Sequence, residues 1–369
     1  MKIAIIGAGN MGTAIAADLA REHTVAVHSS KPHLFSERLK YIDLTSGASY
    51  ESRVAMVSDS YNEVLAEAEI VFIALPTFVI QNVIYEIFPF ISDNTTVGFV
   101  PGAGGVEFLS YPLIKKGCCV FGFERVPFVA RLSEYGKVVM ASKKDKYRIA
   151  VFPKNKKEDL GKQMSYLFNR PCSEMNGFLS MTLTPTLHTS RLYDLYHDYK
   201  PGDLLRDNPF FYAEWTDSAS RVCLQLDDEL HIVARKLNGC GLDTTELVPY
   251  RTHYESPTPE ALTSKLQSIQ SLNRIKGPVK ENSDGTYVLD LESRYFTESF
   301  PFRLALVQGL AELVEESVPL TTSVFKWYER LAGKQYFHDG RLAGVDVHEC
   351  NIPQNRGINS SDELVSYYS

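Results

Sequence analysis

The sequence predicts an α/β protein in two parts: a doubly wound parallel sheet first, then a mostly α-helical domain. Three observations carry this prediction. The apolar run Ile3-Ala4-Ile5-Ile6 leads directly into Gly7-Ala8-Gly9-Asn10-Met11-Gly12. Over roughly the first 150 residues, short apolar runs alternate with helical segments, the pattern of a parallel sheet covered on both faces. From about residue 175 the apolar residues instead recur at steps of three and four. At 369 residues and 44% hydrophobic content, the chain is long enough to bury two cores.

The elements follow in order. Residues 3–6 read as a buried strand, and 13–21 as the helix that follows the glycine turn. Residues 24–28, 70–75, 96–100 and 119–123 are further strand candidates, each a short apolar run bounded by turn or charged residues. A pair at 137–141 and 148–152 is expected to finish the same sheet. Pro153-Lys154-Asn155-Lys156-Lys157 is a polar break, and the charged segment after it feeds a helix through Leu167. These elements place the first domain at 1–172 and the second at 173–369. In the second, helices are expected at 187–199, 211–237, 259–271 and 303–315. Trp215, Ala219, Val222, Leu226, Leu230 and Val233 mark one face of the longest. Asn282-Ser283-Asp284-Gly285 reads as a hairpin turn between helices. The tail from His338 to Ser369 carries Val345, Ile352 and Leu364 and is expected to belong to the fold.

A G-x-G-x-x-G placed between strand and helix gives each glycine a task. Gly7 permits the tight turn, Gly9 lets backbone amides approach a pyrophosphate, and Gly12 lets helix and strand pack closely. The positive end of the helix, at Asn10 and Met11, then faces the phosphates. The first domain is therefore a Rossmann domain for a dinucleotide. Leu75-Pro76-Thr77 after the third strand suits the loop beside a nicotinamide ribose, and Pro101 joins the cofactor-binding set. An NAD-selective domain carries an acid near the end of its second strand, where it accepts from the ribose hydroxyls. Here that strand ends in Val27-His28-Ser29-Ser30-Lys31, without an acid. Hydroxyls and a cation would hold a 2′-phosphate that a carboxylate repels, so Ser29, Ser30 and Lys31, helped by Arg38, favour NADP over NAD. The plainer reading is that these are ordinary loop residues. FAD fits less well, because no second flavin signature accompanies the turn.

Composition excludes several classes. A formal net charge of −7 supplies no basic field for nucleic acid or a membrane surface. The longest apolar stretches are strand-sized. Met1 runs straight into the first strand, so no signal peptide is expected. The six cysteines have neither C-x-x-C spacing nor a metal pattern, as suits reduced thiols in a cytoplasmic enzyme, and no metal is expected. A homodimer is the assembly preferred.

Two places in the second domain can carry chemistry. His188 closes Leu183-Thr184-Pro185-Thr186-Leu187-His188 at a helix start. An imidazole beside a nicotinamide ring can exchange the proton that accompanies hydride transfer, although a single histidine on a helix is more often structural. Arg294, in Ser293-Arg294-Tyr295-Phe296-Thr297-Glu298-Ser299, could clamp a substrate carboxylate. By pattern alone it is a surface arginine paired with Glu298.

Taken together, the glycine turn, Leu75-Pro76, Pro101-Gly102-Ala103-Gly104-Gly105, the segment Glu124-Arg125-Val126-Pro127-Phe128-Val129-Ala130-Arg131, Thr184 to His188, Arg294 to Glu298, and Gly357-Ile358 near Glu363-Leu364 stand in a distinctive order. In these pieces the chain resembles the octopine/nopaline dehydrogenase family, the opine dehydrogenases. The resemblance implies a Rossmann domain, a helical second domain of the 6-phosphogluconate dehydrogenase-like kind, and an active site in the cleft between them. It implies reductive condensation of a 2-oxo acid, often pyruvate, with the amino group of an amino acid. The catalytic histidine then maps onto His188, the carboxylate-binding arginine onto Arg294, and Glu124 to Arg131 line the substrate pocket. The family usually has an aspartate five residues after that arginine. Ser299 stands there, with Glu298 beside it, so either Glu298 or a water would have to partner the histidine, or the activity is specialised or weakened. Arg303 and Thr184 also depart, where relatives tend to have glycine and asparagine. Two alternatives follow: a simple 2-oxo acid reductase resembling ketopantoate reductase, and a catalytically silent NADP-binding regulator.

Overall fold

The computed structural model describes residues 1–154, 156–183 and 187–369. It divides into two compact units: Met1–Thr182 together with Tyr368–Ser369, and Leu183–Tyr367. The first boundary falls later than 172 for a specific reason. Cys172–Glu174 is a short strand paired in parallel with Tyr147–Phe152, so it belongs to the first sheet.

That sheet has eight strands. Their order is Cys172–Glu174, Tyr147–Phe152, Cys119–Phe123, Thr96–Phe99, Ile70–Ile73, Lys2–Ile6, Thr24–His28 and Met56–Ser58. The central strands are buried on both faces, which is why they read as continuous apolar runs rather than alternating ones. Pairing is parallel except where Tyr147–Phe152 runs antiparallel to Cys119–Phe123, so the sheet is mixed at one side. The expected strand near 137–141 does not finish this sheet. It forms Val138–Lys143, which joins Arg38–Asp43, Ser49–Arg53 and Phe128–Glu134 in a separate four-stranded sheet. The helix Asn10–Leu19 packs against this second sheet, and Asp18 there meets Lys143 at 2.7 Å.

In the second unit, Asp217–Gly239 is the long helix, with Ala219, Cys223, Leu226, Leu230, Val233 and Leu237 buried along one face. Thr216 caps it by accepting from the Ala219 amide, so residues 211–216, expected as helix, lie outside it. Trp215 nevertheless stays in the core at 1% exposure. The hairpin turn at 282–285 joins Val279–Glu281 to Tyr287–Leu289 as expected. Pro319–Ala332 is a further helix that the pattern reading did not register. In the tail, Ile352 and Leu364 are buried, whereas Val345 is exposed. Phe296 and Phe300 are fully buried, and Phe300 stacks on Tyr328 at 4.2 Å. Among the described residues no helix is long and apolar enough to cross a membrane, and no group of three His, Cys, Asp or Glu is placed to hold a metal.

Candidate active site

The first unit carries a nucleotide cradle whose shape follows from its glycines. Gly7 has φ +111°, and a Cβ there would lie 2.7 Å from the Ala74 carbonyl oxygen. A Cβ on Gly12 would lie 1.7 Å from the Gly7 oxygen, so strand and helix approach as closely as only two glycines allow. At Gly9 the same atom would meet nothing within 4 Å. Gly9 begins the helix Asn10–Leu19 without a side-chain cap, and its first turn holds no acid. A pyrophosphate therefore has an open approach and a positively polarised helix end, and the residues fit a dinucleotide. Asn10 is exposed, and its Oδ1 accepts from the Leu132 amide at 2.8 Å. Leu75 is half-buried and Pro76 exposed, while Thr77 is buried at the first position of the helix Thr77–Ile87. Pro101, half-buried, follows Thr96–Phe99.

At the end of Thr24–His28 the three expected phosphate ligands separate. Ser30 and Lys31 are exposed. Ser29 is buried at 2% exposure, accepts from the Lys31 amide at 3.1 Å and lies 3.0 Å from the Tyr135 hydroxyl. Ser29 is thus committed to internal hydrogen bonds, which serine-rich sequence cannot reveal. Glu124 is half-buried and pairs with Arg148 at 3.4 Å. Arg131 is exposed on Phe128–Glu134, bonded to its neighbour's carbonyl.

The second unit holds the acid–base candidate. His188 is half-buried at the start of Leu187–Tyr196; residues 184–186 before it lie outside the described residues. Its Nδ1 lies 3.1 Å from Ser299 Oγ. Ser299 is itself buried, at 2% exposure. Tyr295 leans over the imidazole at 4.3 Å, and Phe211 meets it edge-on at 6.0 Å. Burial beside these rings is the main force holding the imidazole neutral, with the Arg294 and Arg303 charges adding to it. Together they push its pKa down to about 3. Glu298 binds Arg303 at 3.3 Å, so the acid beside Ser299 serves that arginine. The expectation that Glu298 pairs with Arg294 is thereby replaced. Arg294 is exposed, with its guanidinium 6.0 Å from the Tyr295 ring centre.

Local sequence explains this geometry. Arg294–Thr297 is a short helix capped by Ser293, and Phe300–Leu304 continues as a π-helix with Leu304 N donating to Ser299 O at 3.0 Å. Pro301 has no amide proton to give an ordinary turn, and the wider turn accommodates it. The expected helix therefore begins later, at Ala305. Sequence reasoning missed Tyr295, Phe211 and Arg191. Arg191 is buried at 1% exposure and donates to the Phe211 and Glu214 carbonyls and to Asp194. It fixes the aromatic wall beside His188, and its position one turn after the histidine was its only signal.

Comparison with known proteins bears on this arrangement. Residues 174–332 match the family described as NAD/NADP octopine/nopaline dehydrogenase, alpha-helical domain. Residues 2–97 match the family described as NADP oxidoreductase coenzyme F420-dependent. The chain is 25% identical to tauropine dehydrogenase of Arabella iricolor, covering 89% of this chain and 87% of that one. It is 26% identical to opine dehydrogenase of Haliotis discus hannai, covering 88% and 85%. A solved structure of octopine dehydrogenase with NADH and L-arginine shares the fold, with a TM-score of 0.85 at 21% identity over 99% of this chain and 98% of that one.

Proposed function

We infer that this chain, which belongs to the opine dehydrogenase family, is an NAD(P)-dependent oxidoreductase that condenses a 2-oxo acid reductively with the amino group of an amino acid. The observation that carries this reading is the half-buried His188 bonded to Ser299, with Arg294 on the adjoining segment. The names of the relatives favour it over a simple 2-oxo acid reductase and over a silent nucleotide binder. The absence of an acid at 28–31, together with exposed Ser30 and Lys31, supports NADP as the preferred cofactor.

When bound, the nicotinamide supplies the hydride. The chain's own residues supply the rest. The cradle at Gly7, Gly9 and Gly12 seats the pyrophosphate. Arg294 offers a guanidinium to the substrate carboxylate, and His188 exchanges the proton. A serine partner makes this histidine unlike one held by a carboxylate. The Ser299 hydroxyl can donate or accept, so it accommodates either neutral tautomer and adds no charge. The resting imidazole therefore holds no extra proton. A carboxylate arriving at Arg294 offsets only the smaller, cationic part of what keeps the ring neutral, and burial, the larger part, remains.

The test is product identification. Incubation with NADPH, pyruvate and a panel of amino acids is expected to yield a secondary-amine dicarboxylate, detected by mass spectrometry. His188→Ala is expected to cut its formation by roughly 10²–10⁴-fold. Lactate as the sole product would support the simple reductase instead.

A further inference from the structure

The hairpin formed by Phe128–Glu134 and Val138–Lys143 is anchored beside both ends of the nucleotide cradle. At the pyrophosphate end the Leu132 amide donates to Asn10 Oδ1 at 2.8 Å, beside the exposed Gly9. At the other end its turn sits against the loop that follows Thr24–His28. The Gly136 carbonyl accepts from the Ser36 amide at 2.8 Å, and a Cβ on Gly136 would lie 2.6 Å from the Phe35 Cα. Tyr135, in the same turn, is edge-on to Phe35 at 6.0 Å and 37% exposed, and its hydroxyl lies 3.0 Å from the buried Ser29 Oγ. This is the end of the second strand, where a Rossmann domain reads the adenosine ribose.

We propose that Tyr135 is the residue that reads the ribose 2′ position, with its phenol acting as a hydrogen-bond donor to the 2′-phosphate of NADP. Ser29 aims it. The Ser29 oxygen accepts from the Lys31 amide, and its bond with the phenol can run in either direction; run from Ser29 to the phenol oxygen, it uses the serine proton. That leaves the phenolic proton for an outside acceptor. A carboxylate at this place accepts only, and so selects the hydroxyl of NAD. A phenol in this chain of hydrogen bonds donates, and phosphate oxygens are the stronger acceptors. Exposed Lys31 adds charge nearby.

The proposal rests on the reading of the first unit as an NADP-preferring domain, and it is tested without substrate. Kd values for NADPH and NADH are measured by fluorescence titration for the wild type, Tyr135→Phe and Ser29→Ala. Tyr135→Phe is expected to weaken NADPH by about 10-fold or more and NADH by less than about threefold. Ser29→Ala is expected to weaken NADPH less, because the phenol remains but is no longer aimed. NADH binding retained in Tyr135→Phe reports an intact fold. A wild-type preference for NADH overturns the NADP reading. An unmoved NADPH-to-NADH ratio in Tyr135→Phe, whichever cofactor the wild type prefers, overturns the role of Tyr135.

Discussion

At His188 the proposed acid–base role turns on one atom's neighbour. A hydroxyl at 3.1 Å from Nδ1 orients the ring without charging it, whereas a carboxylate would do both. Ser299→Asp is therefore expected to raise the imidazole pKa by about 1–3 units, read as an upward shift of the histidine resonances in an NMR pH titration. Resonances that titrate where they did before would mean that position 299 does not face the ring. The same electrostatics predicts little proton uptake when pyruvate binds near pH 6, because a carboxylate at Arg294 relieves only the smaller, cationic part of the pressure against the imidazolium and burial remains. Calorimetry in buffers of different ionisation enthalpy measures it, and binding heats that vary strongly with buffer would contradict it. His188 and Arg294 were legible in the sequence only through the family resemblance, since by pattern alone each read as an ordinary structural or surface residue. The partner assignment was not, because Glu298 and Ser299 are adjacent and only the backbone's turn decides which one faces the ring.

Among the elements, the helix Leu187–Tyr196 carries its histidine on a buried guanidinium. Arg191 satisfies two backbone carbonyls and Asp194 at once. Arg191→Met fills similar space yet strands those acceptors, and is expected to destabilise the fold by about 3 kcal/mol in urea unfolding. A loss below about 1 kcal/mol would show the network to be dispensable. Continuous apolar runs such as Cys119–Phe123 were legible because both their faces are buried. Arg38–Asp43 and Ser49–Arg53 were not, since one face of each carries charged or polar side chains to solvent; they pair with each other, and only Arg38–Asp43 also pairs with a distant segment, Val138–Lys143. The strand Cys172–Glu174 escaped for the same reason, and its omission shifted the expected domain boundary.

Across the whole molecule, the chain leaves the first unit after Thr182 and returns to it at Tyr368. Both points are tied to one carboxyl: Glu107, fully buried, accepts from Thr182 Oγ1 at 3.0 Å and from the Tyr368 hydroxyl at 2.7 Å. Nothing local in the sequence announces a contact between residue 107 and the penultimate residue. Burial pushes the Glu107 carboxyl up from 4.5 to about 7. The folded state thus keeps a proton that the unfolded chain releases, so this contribution is complete below about pH 4.5 and is lost as pH rises through about 7. Glu107→Gln cannot titrate. Relative to it, the wild type is expected to lose roughly 3 kcal/mol over that range in urea unfolding. Parallel pH profiles for the two proteins would rule this out. The central claim is that the protein joins two substrates rather than reducing one. Its most direct test is the rate of NADPH oxidation with pyruvate, with and without amino acids. The account predicts turnover that requires a particular amino acid, and an equal rate with pyruvate alone would contradict it.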